Sequence, residues 1–126
     1  MEHLQIHGNA EVPTVDFDPG TGRLLLSGES NLNDAAEFYY PLNIWLENYQ
    51  YDGYKPVTMT FSFSYLNHSS QRQIQEIISR LFAIQNEGKQ VEVLWYYHEG
   101  DEDMRELGET LLEDSELRYD VIRNSR

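Results

Sequence analysis

The chain has no cysteine and only nine lysines and arginines among its 126 residues. The first absence excludes disulfides, thiolate metal sites and thiol nucleophiles. The second leaves no basic patch, so the phosphate neutralisation that nucleic-acid binding requires has no source here. With 22 Asp and Glu the net charge is -13. An anionic membrane surface repels such a chain, and a basic protein surface is its natural complement. The same charge also serves plain solubility. No run approaches the roughly 20 apolar residues of a membrane span. Met1 to Gly8 has neither a basic n-region nor a long apolar stretch, so no secretory signal is visible and a cytoplasmic, bacterial-type protein is the simplest placement. Without that signal the Asn67-His68-Ser69 glycosylation sequon reads as chance. There is no internal repeat and no low-complexity linker. No glycine-rich phosphate loop is present either, because Gly20-Thr21-Gly22 belongs to a hairpin turn.

What the chain does have is the material for a core. It is 40% hydrophobic, with nine Tyr, five Phe and two Trp, more aromatics than a disordered chain carries. A length of 126 residues fits one domain, 1–126, since two cores would each bury too little.

Periodicity then divides the chain. Val12 to Phe17 alternates and ends at Asp18-Pro19-Gly20-Thr21-Gly22, and Arg23 to Ser27 follows, which predicts a β-hairpin. Leu4 to His7 adds a short edge strand. Asn33 or Asp34 caps a helix whose buried face is Ala35, Phe38, Tyr39, Leu42, Leu46 and Tyr49, with Pro41 inside it as a kink or a later start. Val57 to Leu66 sets Val57, Met59, Phe61, Phe63 and Tyr65 against Thr58, Thr60, Ser62 and Ser64, the clearest strand in the chain. A second helix runs to about Glu87 with Ile74, Ile77, Ile78, Leu81 and Ile84 inward and Gly88 as its stop. Gln90 to Tyr97 is a strand, Asp101 to Leu112 a helix with an acidic first turn, and Leu117 to Ile122 a last strand. Right-handed crossovers make the last three strands parallel to the second hairpin strand. The expected fold is α/β, with a mixed central sheet of about five to six strands, an N-terminal hairpin and three main helices mostly on one face.

Chemistry concentrates at two places. Asn67-His68-Ser69-Ser70 joins the clearest strand to the clearest helix, where the carboxyl ends of strands and the first helical amides favour function and anions. A hydroxyl there suits phosphorylation, while Ser70 with Gln73 also makes a capping box. His68 as a base for Ser69 or Ser70 lacks a carboxylate within the motif to orient it. The second place is Trp95 to Asp103. There His98, Asp101 and neighbouring carboxylates match neither an EF-hand nor a zinc-protease spacing, so no metal is assigned. An exposed member of Trp95, Tyr96 and Tyr97 suits a protein interface.

Three segments together carry a resemblance. They are Ser27-Gly28-Glu29-Ser30 followed by Asn33-Asp34-Ala35-Ala36-Glu37-Phe38-Tyr39; Tyr65-Leu66-Asn67-His68-Ser69-Ser70; and Trp95-Tyr96-Tyr97 with Asp101-Glu102-Asp103-Met104 and Gly108-Glu109. From about Pro13 to the end, in this order, the chain resembles the SiaC family of bacterial regulatory phosphoproteins, which are similar in layout to anti-anti-sigma, STAS-like domains. The resemblance implies a non-enzymatic signalling protein without cofactor. Such a protein is phosphorylated by a Ser/Thr kinase, dephosphorylated by a phosphatase, and binds a diguanylate cyclase in cyclic-di-GMP signalling. The family pattern in the second segment is Asn-Thr-Ser-Ser with the threonine as phosphoacceptor, and that position here is His68. Imidazole forms no stable phosphate ester. Ser69 and Ser70 are then the candidate acceptors, and Asn67, His68, Ser69, Ser70 and Gln71 the expected partner-binding surface. The alternatives are a constitutive adaptor that is not phosphorylated, and a small hydrolase or metal-dependent enzyme built on His68 or His98.

Overall fold

Alternation and helical spacing translate into nine elements in a computed structural model that describes residues 1–124. These are β1 (Leu4–Ile6), β2 (Thr14–Asp18), β3 (Arg23–Ser30), α1 (Ala35–Asn48), β4 (Val57–Leu66), α2 (His68–Asn86), β5 (Val91–His98), α3 (Glu102–Leu112) and β6 (Arg118–Asn124). The six strands form one sheet in chain order, β1 to β6. The β1–β2 and β2–β3 pairs are antiparallel, and β3 through β6 run parallel. The expected mixed sheet with three helices is therefore the fold.

Strand alternation decides which face is covered. Val57, Met59, Phe61 and Phe63 of β4 are buried, whereas Thr58, Thr60 and Ser62 between them are only half-buried. In register with Phe61 stand Leu26 and Trp95, both buried. The helices close over this face. Trp45 of α1 packs at a tilt against Phe17 of β2 with ring centroids 5.2 Å apart. Ile74, Ile77, Ile78, Leu81 and Ile84 of α2 join the same core. Trp95 of β5 donates its indole N–H to the Met104 carbonyl of α3 at 3.0 Å. Burying a set of Leu, Ile, Phe and Trp side chains of this kind is the dominant favourable term in folding.

Besides shifts of one or two residues at the ends of β2, β5 and β6, the structure departs from the sequence reading at three places. Strand β3 continues past Ser27 to Ser30, because Gly28 adopts φ +97° and the register shifts in a bulge between Gly28 and Glu29. Helix α1 runs unbroken through Pro41, whose ring lies on the exposed side. Helix α2 starts at His68, before the Ser70–Gln73 capping box expected for it. Its N-cap is Asn67, whose side-chain oxygen accepts from the Ser70 amide at 3.0 Å. Among the described residues no helix is long and apolar enough to cross a membrane.

Candidate functional site at the start of the second helix

The carboxyl end of β4 turns into α2 with no intervening loop beyond Asn67, so Asn67 carries several duties at once. Its side-chain oxygen caps α2, and its amide nitrogen donates to the Leu32 carbonyl at 2.9 Å and to Asn31 Oδ1 at 3.3 Å. Its backbone N–H donates to the Ser30 carbonyl at 3.0 Å. The β3–α1 connection is thereby tied to the first turn of α2.

The next four positions point in different directions. His68 is exposed. Ser69 is half-buried and donates its hydroxyl to the Leu32 carbonyl at 2.8 Å. Ser70 is fully buried, and its Oγ accepts from Ser30 Oγ at 2.8 Å. Ser30 in turn meets the Tyr39 hydroxyl at 2.9 Å. Gln71 folds back to donate to the Leu66 carbonyl at 3.0 Å. Neither serine hydroxyl bonds to the His68 ring, so no nucleophile–base pair is assembled here.

The Tyr39–Ser30–Ser70 chain joins α1, the end of β3 and the first turn of α2 inside the core. Buried hydroxyls must find partners, and these three find one another. Burial pushes the Tyr39 hydroxyl up to about 12, against the smaller opposing effect of its bond to Ser30. It therefore stays protonated and remains available as a donor. Local periodicity does not mark Ser30 or Tyr39 as parts of this site, because the contact from Ser30 to Ser70 spans 40 positions.

Beside this turn lies an open cleft of about 480 Å³ between the end of β4 and α3. Tyr65, Gln71, Asp101, Asp103 and Glu106 line it, and Tyr65 is 48% exposed. The Trp95-to-Asp103 run thus splits. Trp95 is core, Tyr96 and Tyr97 are half-buried on opposite faces of β5, and Asp101 caps α3 by accepting from the Met104 amide at 3.1 Å. Among the described residues no three His, Asp or Glu side chains converge as a metal-holding group. The surface is acidic, partly aromatic and open, a form that suits a basic protein partner more than a small enclosed ligand.

Comparison with known proteins gives the chain its relatives. The sequence model of one family, described as SiaC family regulatory phosphoprotein, matches residues 6–123. A curated protein of Pseudomonas aeruginosa (strain UCBPP-PA14) is 28% identical over 121 residues, covering 96% of both chains. The solved structure of SiaC of Pseudomonas aeruginosa superposes with a TM-score of 0.86 at 25% identity, covering 98% of this chain and 100% of that one. A chain in the crystal structure of diguanylate cyclase SiaD in complex with its activator SiaC, also from Pseudomonas aeruginosa, gives a TM-score of 0.86 at 27% identity. That match covers 96% of this chain and 99% of the other.

Proposed function

The chain belongs to the SiaC family of regulatory phosphoproteins, and from that premise we propose that it is a non-enzymatic signalling protein that binds and activates a diguanylate cyclase. The observation that carries the reading is the match along nearly its whole length to a chain solved in complex with such a cyclase. The contact surface in this reading is Asn67, His68, Ser69 and Gln71, together with the acidic cleft beside them; Ser70, expected in this surface from the sequence, is buried beneath it and touches no partner protein. The switch is phosphorylation of a serine in the first turn of α2 by a Ser/Thr kinase, reversed by a phosphatase. A phosphoryl group adds about −1.5 to −2 charge to a surface that docks on another protein, which imposes repulsion and desolvation. The site of action is the cytoplasm, where the GTP that a cyclase consumes is found.

The test is a titration of the chain into the diguanylate cyclase of its own genome. Ser69→Glu should weaken binding at least about tenfold, a loss of about 1.4 kcal/mol, with an unchanged circular dichroism spectrum. Undiminished affinity would remove this surface from the interface.

A second reading rests on His68. The residue is exposed, stands where the resemblance puts the family's acceptor and takes no stable phosphate ester, so the chain would be a constitutive adaptor. Incubation with a family kinase followed by mass spectrometry separates the two. An adaptor stays unmodified while His68→Thr becomes a substrate, and a switch is modified on a serine.

A further inference from the structure

Ser69 and Ser70 are neighbours in sequence, but their hydroxyls lie in different surroundings. Ser70 Oγ is inside the core, bonded to Ser30 Oγ at 2.8 Å, and has no exposure. Reaching it requires the Tyr39–Ser30–Ser70 chain to be opened. Ser69 is half-buried and turned toward the connection between β3 and α1. There the Leu32 carbonyl accepts two hydrogen bonds, from Ser69 Oγ at 2.8 Å and from the Asn67 side-chain nitrogen at 2.9 Å. These two donors hold the middle of the 31–34 connection against the first turn of α2.

We propose that Ser69, not Ser70, is the hydroxyl modified in this turn, and that phosphorylation of Ser69 unlatches the β3–α1 connection. The inference rests on the reading of this turn as the regulated site, and it adds which atom is modified and what then moves. The donor is a nucleoside triphosphate. A bond forms between Ser69 Oγ and the γ-phosphorus, the bond from that phosphorus to the bridging oxygen breaks, the nucleoside diphosphate leaves, and the hydroxyl proton passes to the base of the kinase.

The consequence follows from donor and acceptor roles. Free Ser69 gives a proton to the Leu32 carbonyl, whereas a phosphoserine dianion has no proton to give and presents acceptor oxygens alone. Two acceptors do not share a 2.8 Å contact. The phosphoryl group stays with α2, because the amides of a helix's first turn lack intrahelical partners and favour an anion. The connection does not follow it, since it leads directly into Asp34 and Glu37 at the start of α1. The first turn of α2 therefore stays ordered while residues 31–34 and the first turn of α1 loosen. Asn31, whose N–H donates to the Glu11 carbonyl at 2.9 Å, reports that release.

The experiment is hydrogen–deuterium exchange on the full chain with phosphoserine introduced at position 69 during translation, beside the unmodified chain and Ser69→Ala. Exchange at Asn31 and over residues 33–38 should quicken at least about tenfold in the phosphorylated chain and less in Ser69→Ala, where Asn67 still holds the Leu32 carbonyl. Amides over residues 70–78 should keep their protection. Unchanged exchange over 31–38 in the phosphorylated chain overturns the proposal, as does modification of Ser70 alone by a family kinase. If the phosphorylated chain unfolds as a whole by circular dichroism, Ser69→Ala decides. Faster exchange confined to 31–38 then supports the latch, and unchanged exchange overturns it. Cyclase binding measured on the same samples keeps the two claims apart. Loss of binding without loosening removes the latch and leaves the turn as a switch of binding, while loosening without loss of binding leaves the latch and removes the turn as that switch.

Discussion

Ser30 and Ser70 are buried polar residues among the described ones, and each satisfies the other. Removing one end of such a chain leaves a buried oxygen short of a partner. Tyr39→Phe should therefore lower stability by about 1 kcal/mol, read as a lower urea midpoint with an unchanged slope. The same tyrosine gives an alkaline signature. Its folded value lies near 12, above the ordinary 10, so the folded chain holds the proton more tightly than the unfolded one. That contribution is complete below pH 10 and is lost as pH rises toward 12. Tyr39→Phe should flatten the fall in stability over that window, and an equal fall in both proteins would contradict the burial argument. Gly108 of α3 lies directly against the indole of Trp95. A Cβ there would lie 2.4 Å from Trp95 Cδ1, so Gly108→Ala should cost about 1–3 kcal/mol by overpacking. Thermal unfolding would measure it. Side-chain chemistry was legible in the sequence where it was local, as in the hydroxyls of Ser69 and Ser70. The Ser30 contact was not, because a bond across 40 positions leaves no periodic trace.

Among the elements, the bounds of β4 could be read from the sequence, because apolar and small polar side chains alternate from Val57 to Tyr65, but its buried face ends at Phe63: Tyr65, expected on that face, is 48% exposed and Leu66 is buried instead, beside the register shift at Gly28 and Glu29. The start of α2 could not. Asn67 and Ser70 are both good capping types, and Ser70 with Gln73 matches a capping box. The helix begins at the earlier cap because Asn67 also ties down Leu32 and Asn31, contacts that belong to a distant segment. Asn67→Ala should therefore cost more than a usual cap loss of about 1 kcal/mol, approaching 2 kcal/mol. Urea unfolding checks this, and Asn67→Ser, which keeps a capping oxygen, should recover part of it. His68→Thr should stay within about 0.5 kcal/mol of the natural chain, as for other exposed changes. A larger loss would mean that His68 has a structural role. The breaks at Ser27 and Pro41 were misplaced for backbone reasons. Gly28 lets β3 bulge and continue, and Pro41 costs α1 only the bond to the Glu37 carbonyl while its ring lies on the exposed side.

At the scale of the whole molecule, a sheet covered on one face carries the turn proposed as the regulated site at the carboxyl end of a central parallel strand, where α2 begins. Mixed topology and one-sided covering were legible from half-polar strands alternating with amphipathic helices. The partner was not legible from composition, because an excess of 13 negative charges says only that the complement is basic. Family membership, with the solved complex of a similar chain, is what supports the proposed cyclase partner. The decisive measurement for cyclase activation is the conversion of GTP to cyclic-di-GMP by the diguanylate cyclase of the same genome, with and without this chain. The unmodified chain should raise turnover in proportion to complex formed, and Ser69→Glu, folded equally well, should not. A cyclase that binds neither protein, or that responds equally to both, would contradict the proposed switchable activation.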